Sequence, residues 1–443
     1  MKKSQFWRKK MWSLHNWIGL YAGVVIALLS ISGVVALFKV ELDKTINPSL
    51  YKVVPKSEKI TLTPIIDSLK SVYGHDTFNG IKFSEKPDES VVVWFFMNKS
   101  SFEFINWEIF IDPYSGKIVG ERDYFTTFAY FIRHLHVRLY EGLLGRKIVG
   151  IAGLALLIST ITGFWIYGGF MKKQFFGAIR KKNLRIVSAD YHKLIGITSL
   201  FFNLVIAITG AWLGLQGWLQ PIVMESGRPN KYHAIEKPLS QENDTKYSFS
   251  FEDAYATSRQ LFPEFIPQTL VSSKDGSRSV SIYGTVPRTA FERESFVITL
   301  DKETFEELHR FDIRKASFGK KLFFIQESMH FGDWGGIWLK IIYAFFGITS
   351  GFLAMTGFLV YLKRTERKRK TDHNFTALKP LLIKWVLGIL GTLILLAVLT
   401  QFYGMVLPSI IVITTFYSWL LFLIIREITR SIKRKILYSK EAI

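Results

Sequence analysis

The 443-residue chain contains no cysteine. That absence removes disulfide-stapled modules, thiolate zinc sites, iron–sulfur clusters and thiolate-ligated haem in one step, so any redox chemistry needs other ligands. Acidic residues are scarce too, 36 Asp+Glu against 57 Lys+Arg, for a net charge of +21. Nor is there a G-x-G-x-x-G run opening a helix after a strand, a nucleophile elbow or a Gly-rich phosphate loop. The chain therefore carries no recognisable dinucleotide site, and an electron it handles must come from elsewhere.

Uncharged apolar sequence, by contrast, is abundant. Residues 17–38, 148–170, 194–216 and 341–362 run without a charge, and two shorter runs, 385–400 and 407–425, follow close together. A bilayer core needs a helix of roughly 20 residues, so these predict a polytopic α-helical membrane protein with six TM helices. The first run exceeds the usual signal-peptide core and lacks a small-residue cleavage site, so it reads as a retained helix.

Charge supplies the orientation. Segments 1–16, 171–193, 363–384 and 426–443 hold 26 Lys/Arg and 5 acids, while the remainder balances at 31 of each, so the whole +21 lies on one side. The positive-inside bias makes that side the cytoplasm, with both termini inside. Basic runs such as KRTERKRK at 363–370 hug a span and read as topology anchors against membrane lipid, not as nucleic-acid contacts.

The resulting organisation is an N-terminus and first span (1–38), a first extracytoplasmic unit (39–128), an outer histidine segment with the second span (129–170) and a basic loop (171–193). The third span (194–220), a second extracytoplasmic unit (221–325), another outer histidine segment with the fourth span (326–362) and a basic loop (363–384) follow. A hairpin of two spans (385–425) and a cytoplasmic tail (426–443) end the chain. Both outer units read as α+β. The first has a helical TPIIDSLKSVYG, then strand-like VVVWFFM and WEIFIDPYSGKIVG turning at Pro113 and Gly116; the second has SFEDAYATSRQLF, then SVSIYGTV and ESFVITLDKETFEELHRF.

The chain also reads as an internal duplication. Residues 14–33 align with 191–210 with five identities, matching His15 to His192, and 136–167 align without a gap with 330–361 with eight, matching His136 to His330. His15 and His192 open spans that leave the cytoplasm; His136 and His330 precede spans that return. Histidines of one half are separated by about 30 Å of bilayer, so pairing must run across the halves. Two histidines from different helices, with no cysteine, suit a six-coordinate haem iron, which predicts two haem b groups, one per membrane face. Zinc or copper is the competing occupant, although zinc sites usually gather three or four close ligands.

Other residues are secondary. His134 lies two positions from His136 and so projects from another helical face; it has no histidine counterpart, position 328 being Ser, and reads as a surface or substrate-edge residue. Arg133, Arg138 and Arg146 lie near the outer histidines, where they serve as ordinary interface charges, pair with haem propionates or attract an anionic substrate. Glycines at 142–145 and 332–336 break the approach to the spans, setting the outer site shallowly under the outer units. Gly19/Gly23 and Gly347/Gly351 form GxxxG pairs that predict close helix packing.

The motifs LHNWIGL, RHLHVRLYEGLLG, IDPYSGKIVG and MHFGDWGGIWLKIIYAFFGITSGFLAMTGFLVY resemble those of the PepSY-associated transmembrane family over about residues 10–365. The resemblance implies a haem-containing oxidoreductase of the bacterial inner membrane with PepSY-like domains in the periplasm, reducing ferric siderophore for iron uptake. It places His15, His136, His192 and His330 on the family's histidine positions. A cytoplasmic flavin/NAD(P)H reductant or membrane quinol is then the electron donor. The alternative is a non-catalytic PepSY-bearing membrane sensor or protease-modulating protein.

Overall fold

The computed structural model describes residues 2–74, 78–84, 86–100, 103–171, 177–180, 182–223, 249–272, 278–291, 295–365 and 411. Apart from residue 411, the expected hairpin 385–425, the tail 426–443 and nearly all of the basic loop 363–384 lie outside the described residues.

Among the described residues, each outer segment contributes four strands and a helix packed on them. In the first, α5 (Thr63–Tyr73) buries Ile66, Leu69 and Lys70, spaced three and four apart so that they share a face. The strands β1 (Phe78–Lys82), β2 (Val91–Ser100), β3 (Glu103–Ile111) and β4 (Ile118–Asp123) follow. Val91, Val93 and Phe95 of β2 and Ile109 and Ile111 of β3 alternate into the core. The β3–β4 turn is closed by Asp112, which accepts from Tyr114 N at 2.9 Å and Ser115 Oγ at 2.6 Å. Gly116 sits there at φ +72, where a Cβ would strike Ile65 and Ile60 at 2.5 and 2.8 Å.

The second segment repeats this order with α10 (Phe251–Leu261), β5 (Ile266–Ser272), β6 (Ser279–Thr285), β7 (Phe296–Asp301) and β8 (Glu307–Asp312). The two units, expected as two domains, are fused. β1 pairs antiparallel with β5, giving one eight-stranded antiparallel sheet of order β4-β3-β2-β1-β5-β6-β7-β8 over a single apolar core. The helix starts lock each other: Thr63 Oγ1 accepts from Phe251 N at 3.0 Å and donates to Glu252, which also accepts from Leu62 N at 2.6 Å. Free β1 and β5 edges would each expose unpaired backbone groups, and joining them satisfies both.

Beneath the sheet lies the helical layer. The helices α1 (Lys2–Tyr21) and α2 (Gly23–Leu37) follow one another with a bend of 60°, basic at the start of α1 and apolar from Trp17 onward. The straight span expected over 17–38 is thus broken at Ala22, where Gly19 and Gly23 leave one helical face without side chains to resist the turn. At Gly19 nothing lies within 4 Å, while Gly23 approaches the Ala354 carbonyl of a later helix at 4.0 Å, so only one member of this GxxxG pair meets another helix as expected. The helices α3 (Lys39–Ile46) and α4 (Pro48–Tyr51) carry the chain to the sheet.

The helix α6 (Phe128–Arg138) stops at Leu139 and Tyr140, both left-handed (φ 47 and 62), before α7 (Gly142–Met171). In the second half α8 (Leu184–Thr198) and α9 (Leu200–Val223) are separated at Ser199, while α11 (Phe318–Phe331) ends on left-handed Gly332 before α12 (Gly336–Thr365). Among the described residues, Gly142–Gly168, Leu200–Leu219 and Asp333–Tyr361 are long and apolar enough to cross a membrane, and the bent pair makes a fourth candidate. The chain is therefore a helical membrane protein, with three or four candidate spans among the described residues.

Helices pack across the two halves. Gly347 and Gly351 of α12 approach α2 at Val34 and Ser30, and Gly150 and Gly153 of α7 approach α9 at Gly214 and Ala211. Outward faces such as Ile158, Ile161, Phe201 and Phe345 stay exposed, as lipid contact requires. An ion network ties α3 to the sheet: Arg122 of β4 donates to both carboxylate oxygens of Asp43 at 2.8 and 2.7 Å and to Glu108 at 2.9 Å, and Tyr51 donates to Asp43 at 2.5 Å. Burial pushes the Asp43 carboxyl up, but Arg122 outweighs it and holds the group below its usual range; burial leaves Glu108 raised.

Candidate functional site

The bends and breaks bring the four repeated histidines into two pairs. His15, near the end of α1, meets His192 of α8 with ring centroids 6.0 Å apart and planes at 79°. His136 of α6 meets His330 of α11 with centroids 6.3 Å apart and planes at 32°. Each pair takes one histidine from each half. Eighteen residues separate His192 from Gly210, against which His330 of the outer pair sits, or at most about 27 Å at 1.5 Å per residue.

Each ring is seated on a neighbouring helix by a hydroxyl residue and the glycine after it. Nδ1 of His15 lies 3.1 Å from Thr162 Oγ1 and 3.0 Å from the Ser159 carbonyl; Nδ1 of His192 lies 3.0 Å from Thr356 Oγ1 and 3.1 Å from the Leu353 carbonyl. Nδ1 of His136 lies 3.3 Å from Ser32 Oγ, and that of His330 lies 2.9 Å from Thr209 Oγ1. The next residues are Gly163, Gly357, Gly33 and Gly210, where a Cβ would come within 3.1, 3.3, 2.7 and 3.2 Å of the same rings. Reasoning from sequence passed over these eight residues. The signal was nonetheless there, because Ser32-Gly33 aligns with Thr209-Gly210 and Thr162-Gly163 with Thr356-Gly357.

The outer pair opens on a cavity of about 1040 Å³ between the helices and the sheet, lined by His136, His330 and all three arginines, with Trp94 and Tyr283 from the sheet. The arginines are not equivalent. Arg146 is committed to α9, donating to the Leu213 carbonyl at 3.1 Å and Gln216 at 3.2 Å. Arg133 is exposed, and Arg138 Nε is buried with no hydrogen-bond partner among the described residues. His134 does not line the cavity; it stacks on Tyr130 with centroids 3.9 Å apart.

Among the described residues no group of three or more His, Asp or Glu side chains is placed to hold a metal ion. What the site offers is two nitrogens per pair, suited to a metal that brings its remaining ligands with it.

A helical membrane protein whose helices carry paired histidines under a fused antiparallel sheet is the class that fold and site define. Residues 12–364 match the PepSY-associated TM region, and the chain belongs to that family. No curated protein matches the chain.

Proposed function

We propose that the protein transfers electrons across the bacterial inner membrane through two haem b groups and delivers them to a ferric siderophore outside. The observation that carries this reading is the spacing of the two histidine pairs. Two imidazoles that shared one metal ion between their Nε2 atoms, at metal–nitrogen distances of about 2 Å, would stand with ring centres roughly 6 Å apart. The pairs stand at 6.0 and 6.3 Å.

In this reading His15 and His192 hold the inner group and His136 and His330 the outer one. Arg133 and Arg138 face the propionates or an anionic chelate, and His134 stands aside. Each haem supplies a one-electron Fe(III)/Fe(II) couple. Two such centres are needed because the apolar core is roughly 30 Å thick. Siderophores hold Fe(III) far more tightly than Fe(II), so one electron loosens the chelate without breaking it. The donor is a cytoplasmic flavin/NAD(P)H reductant or a membrane quinol, in keeping with a chain that carries no dinucleotide motif. Six spans, a duplicated helix–outer unit–helix plan and cytoplasmic termini complete the reading, supported by the repeat alignments and the one-sided +21.

The test is a reduced-minus-oxidised spectrum of the purified protein and its histidine variants. His15→Ala or His192→Ala removes one haem signal, His136→Ala or His330→Ala removes the other, and His134→Ala leaves both. Protein reduced without oxygen is then mixed with ferric siderophores of several classes and an Fe(II) trap. Reoxidation by quinone but by no chelate would overturn the substrate, and absence of haem absorbance would overturn the whole reading.

A further inference from the structure

The contacts of the four histidines determine which ring nitrogen carries hydrogen. A hydroxyl has one proton to give. Thr162, Thr209 and Thr356 donate theirs to the carbonyl four residues back in their own helices, at 2.6 Å to Ile158, 2.7 Å to Val205 and 2.9 Å to Phe352. Ser32 donates to the Leu29 carbonyl at 3.3 Å. Toward the imidazole each threonine oxygen is therefore an acceptor, and Nδ1 is the protonated nitrogen. At His136, where Ser32 Oγ stands 3.3 Å from both the Leu29 carbonyl and Nδ1, the assignment comes from the Leu29 carbonyl, which also bonds the ring and only accepts. For His15 and His192 the adjacent carbonyls of Ser159 and Leu353 repeat the assignment, since a carbonyl only accepts. Hydrogen on Nδ1 leaves the lone pair on Nε2, the nitrogen a metal would take.

We infer that Ser32, Thr162, Thr209 and Thr356 are positioning residues that set the tautomer and donor strength of the four histidines, and through them the reduction potential of each haem. The following glycines let the ring edge seat close enough for that bond. This rests on the haem reading above. An imidazole whose Nδ1–H is handed to an acceptor donates more strongly through Nε2, which favours Fe(III) and lowers the potential. Removing the acceptor raises it.

The experiment is potentiometric titration of the purified full-length protein, followed optically and by the low-spin Fe(III) resonance. Thr209→Val keeps the side-chain shape and removes the hydroxyl; Thr209→Ser keeps the hydroxyl. Thr356→Val and Thr356→Ser repeat the comparison at the inner pair and serve if a Thr209 variant fails to fold. Thr209→Val is expected to keep both haems and move the outer one by up to about tenfold toward Fe(II), which is about +59 mV for a one-electron couple. Thr356→Val, where the Leu353 carbonyl still accepts from Nδ1, moves the inner one the same way by less. The other haem stays in place, and each Ser variant titrates as wild type. Val variants with unshifted potentials, or Ser variants that shift as far as Val, would overturn the inference while leaving the haem reading intact. Wild-type protein without haem would overturn both.

Discussion

At the scale of single residues, the space beside each histidine ranks the four seating glycines. A Cβ at Gly33 would stand 2.7 Å from His136 Cε1, closer than real contacts allow, whereas at Gly357 it would stand 3.3 Å from His192. Gly33→Ala is therefore expected to displace His136 and remove or weaken the outer haem signal, with the inner signal kept. Gly357→Ala should change the spectra little. Optical spectra of the two variants check this ordering. The histidines were legible in sequence because the repeat set them at matching positions among apolar residues. Their seats were not, because Ser, Thr and Gly are ordinary inside an apolar run and only the fold shows which ring they meet. A different residue gives a pH dependence. Burial, then the nearby charge of Lys70, pushes Lys302 down to about 8, and both amines lie beside the Phe249 ring. A lysine lowered in the folded state binds fewer protons there than when unfolded between its folded value and its ordinary one. Stability from this group accordingly rises with pH from about 8 to about 10.4. Melting of wild type against Lys302→Met across that range should show the wild type gaining on the variant.

At the scale of elements, strong patterns were read correctly and uninterrupted ones hid their breaks. The helical TPIIDSLKSVYG, the VVVWFFM strand, the turn at Pro113 and Gly116 and the helix in SFEDAYATSRQLF all stand where their periodicity put them, as α5, β2, the β3–β4 turn and α10. The bend at Ala22 was hidden in hydropathy, since apolar residues continue through it, and its glycines read equally well as a packing pair. Leu139 and Tyr140 are also silent: left-handed backbone favours glycine, but packing of Leu139 in the core and the bond from Tyr140 to the Phe131 carbonyl hold them there. The coupling of α3 to β4 depends on charges far apart in sequence. Arg122 sits between the carboxylates of Asp43 and Glu108, all three largely buried. Arg122→Met would leave two buried acids without their cation, expected to cost about 3–5 kcal/mol. Replacing Asp43 by Asn and Arg122 by Met together should cost less than the two single changes combined. Thermal or chemical denaturation of the three variants measures this, and additive losses would contradict the network.

At the scale of the whole molecule, charge predicts the orientation and strand pairing decides the assembly, and the second was not legible in the sequence. The +21 falls on segments flanking spans, so alkaline-phosphatase fusions near residues 80 and 270 should be active and those near 180 and 370 inactive; the reverse pattern would invert the membrane assignment. Nothing in either outer unit announces that its first strand pairs with its counterpart, because β1 and β5 look alike as edges and the choice between separate sheets and one is made by the tertiary contacts. The choice matters, since one sheet clamps the two halves whose histidines must meet in pairs. Lys82 on β1 stands opposite Thr269 on β5, and neighbouring antiparallel residues lie about 4.5–5.5 Å apart at Cα, within disulfide reach. The chain has no cysteine of its own, so a Lys82→Cys/Thr269→Cys variant carries a single possible bridge. With a protease site introduced near residue 240 and cut, the two halves should migrate together on a denaturing gel without reductant and separate with it. Separation under both conditions, in protein that folds, would mean that β1 and β5 are not partners and that the outer units stand apart.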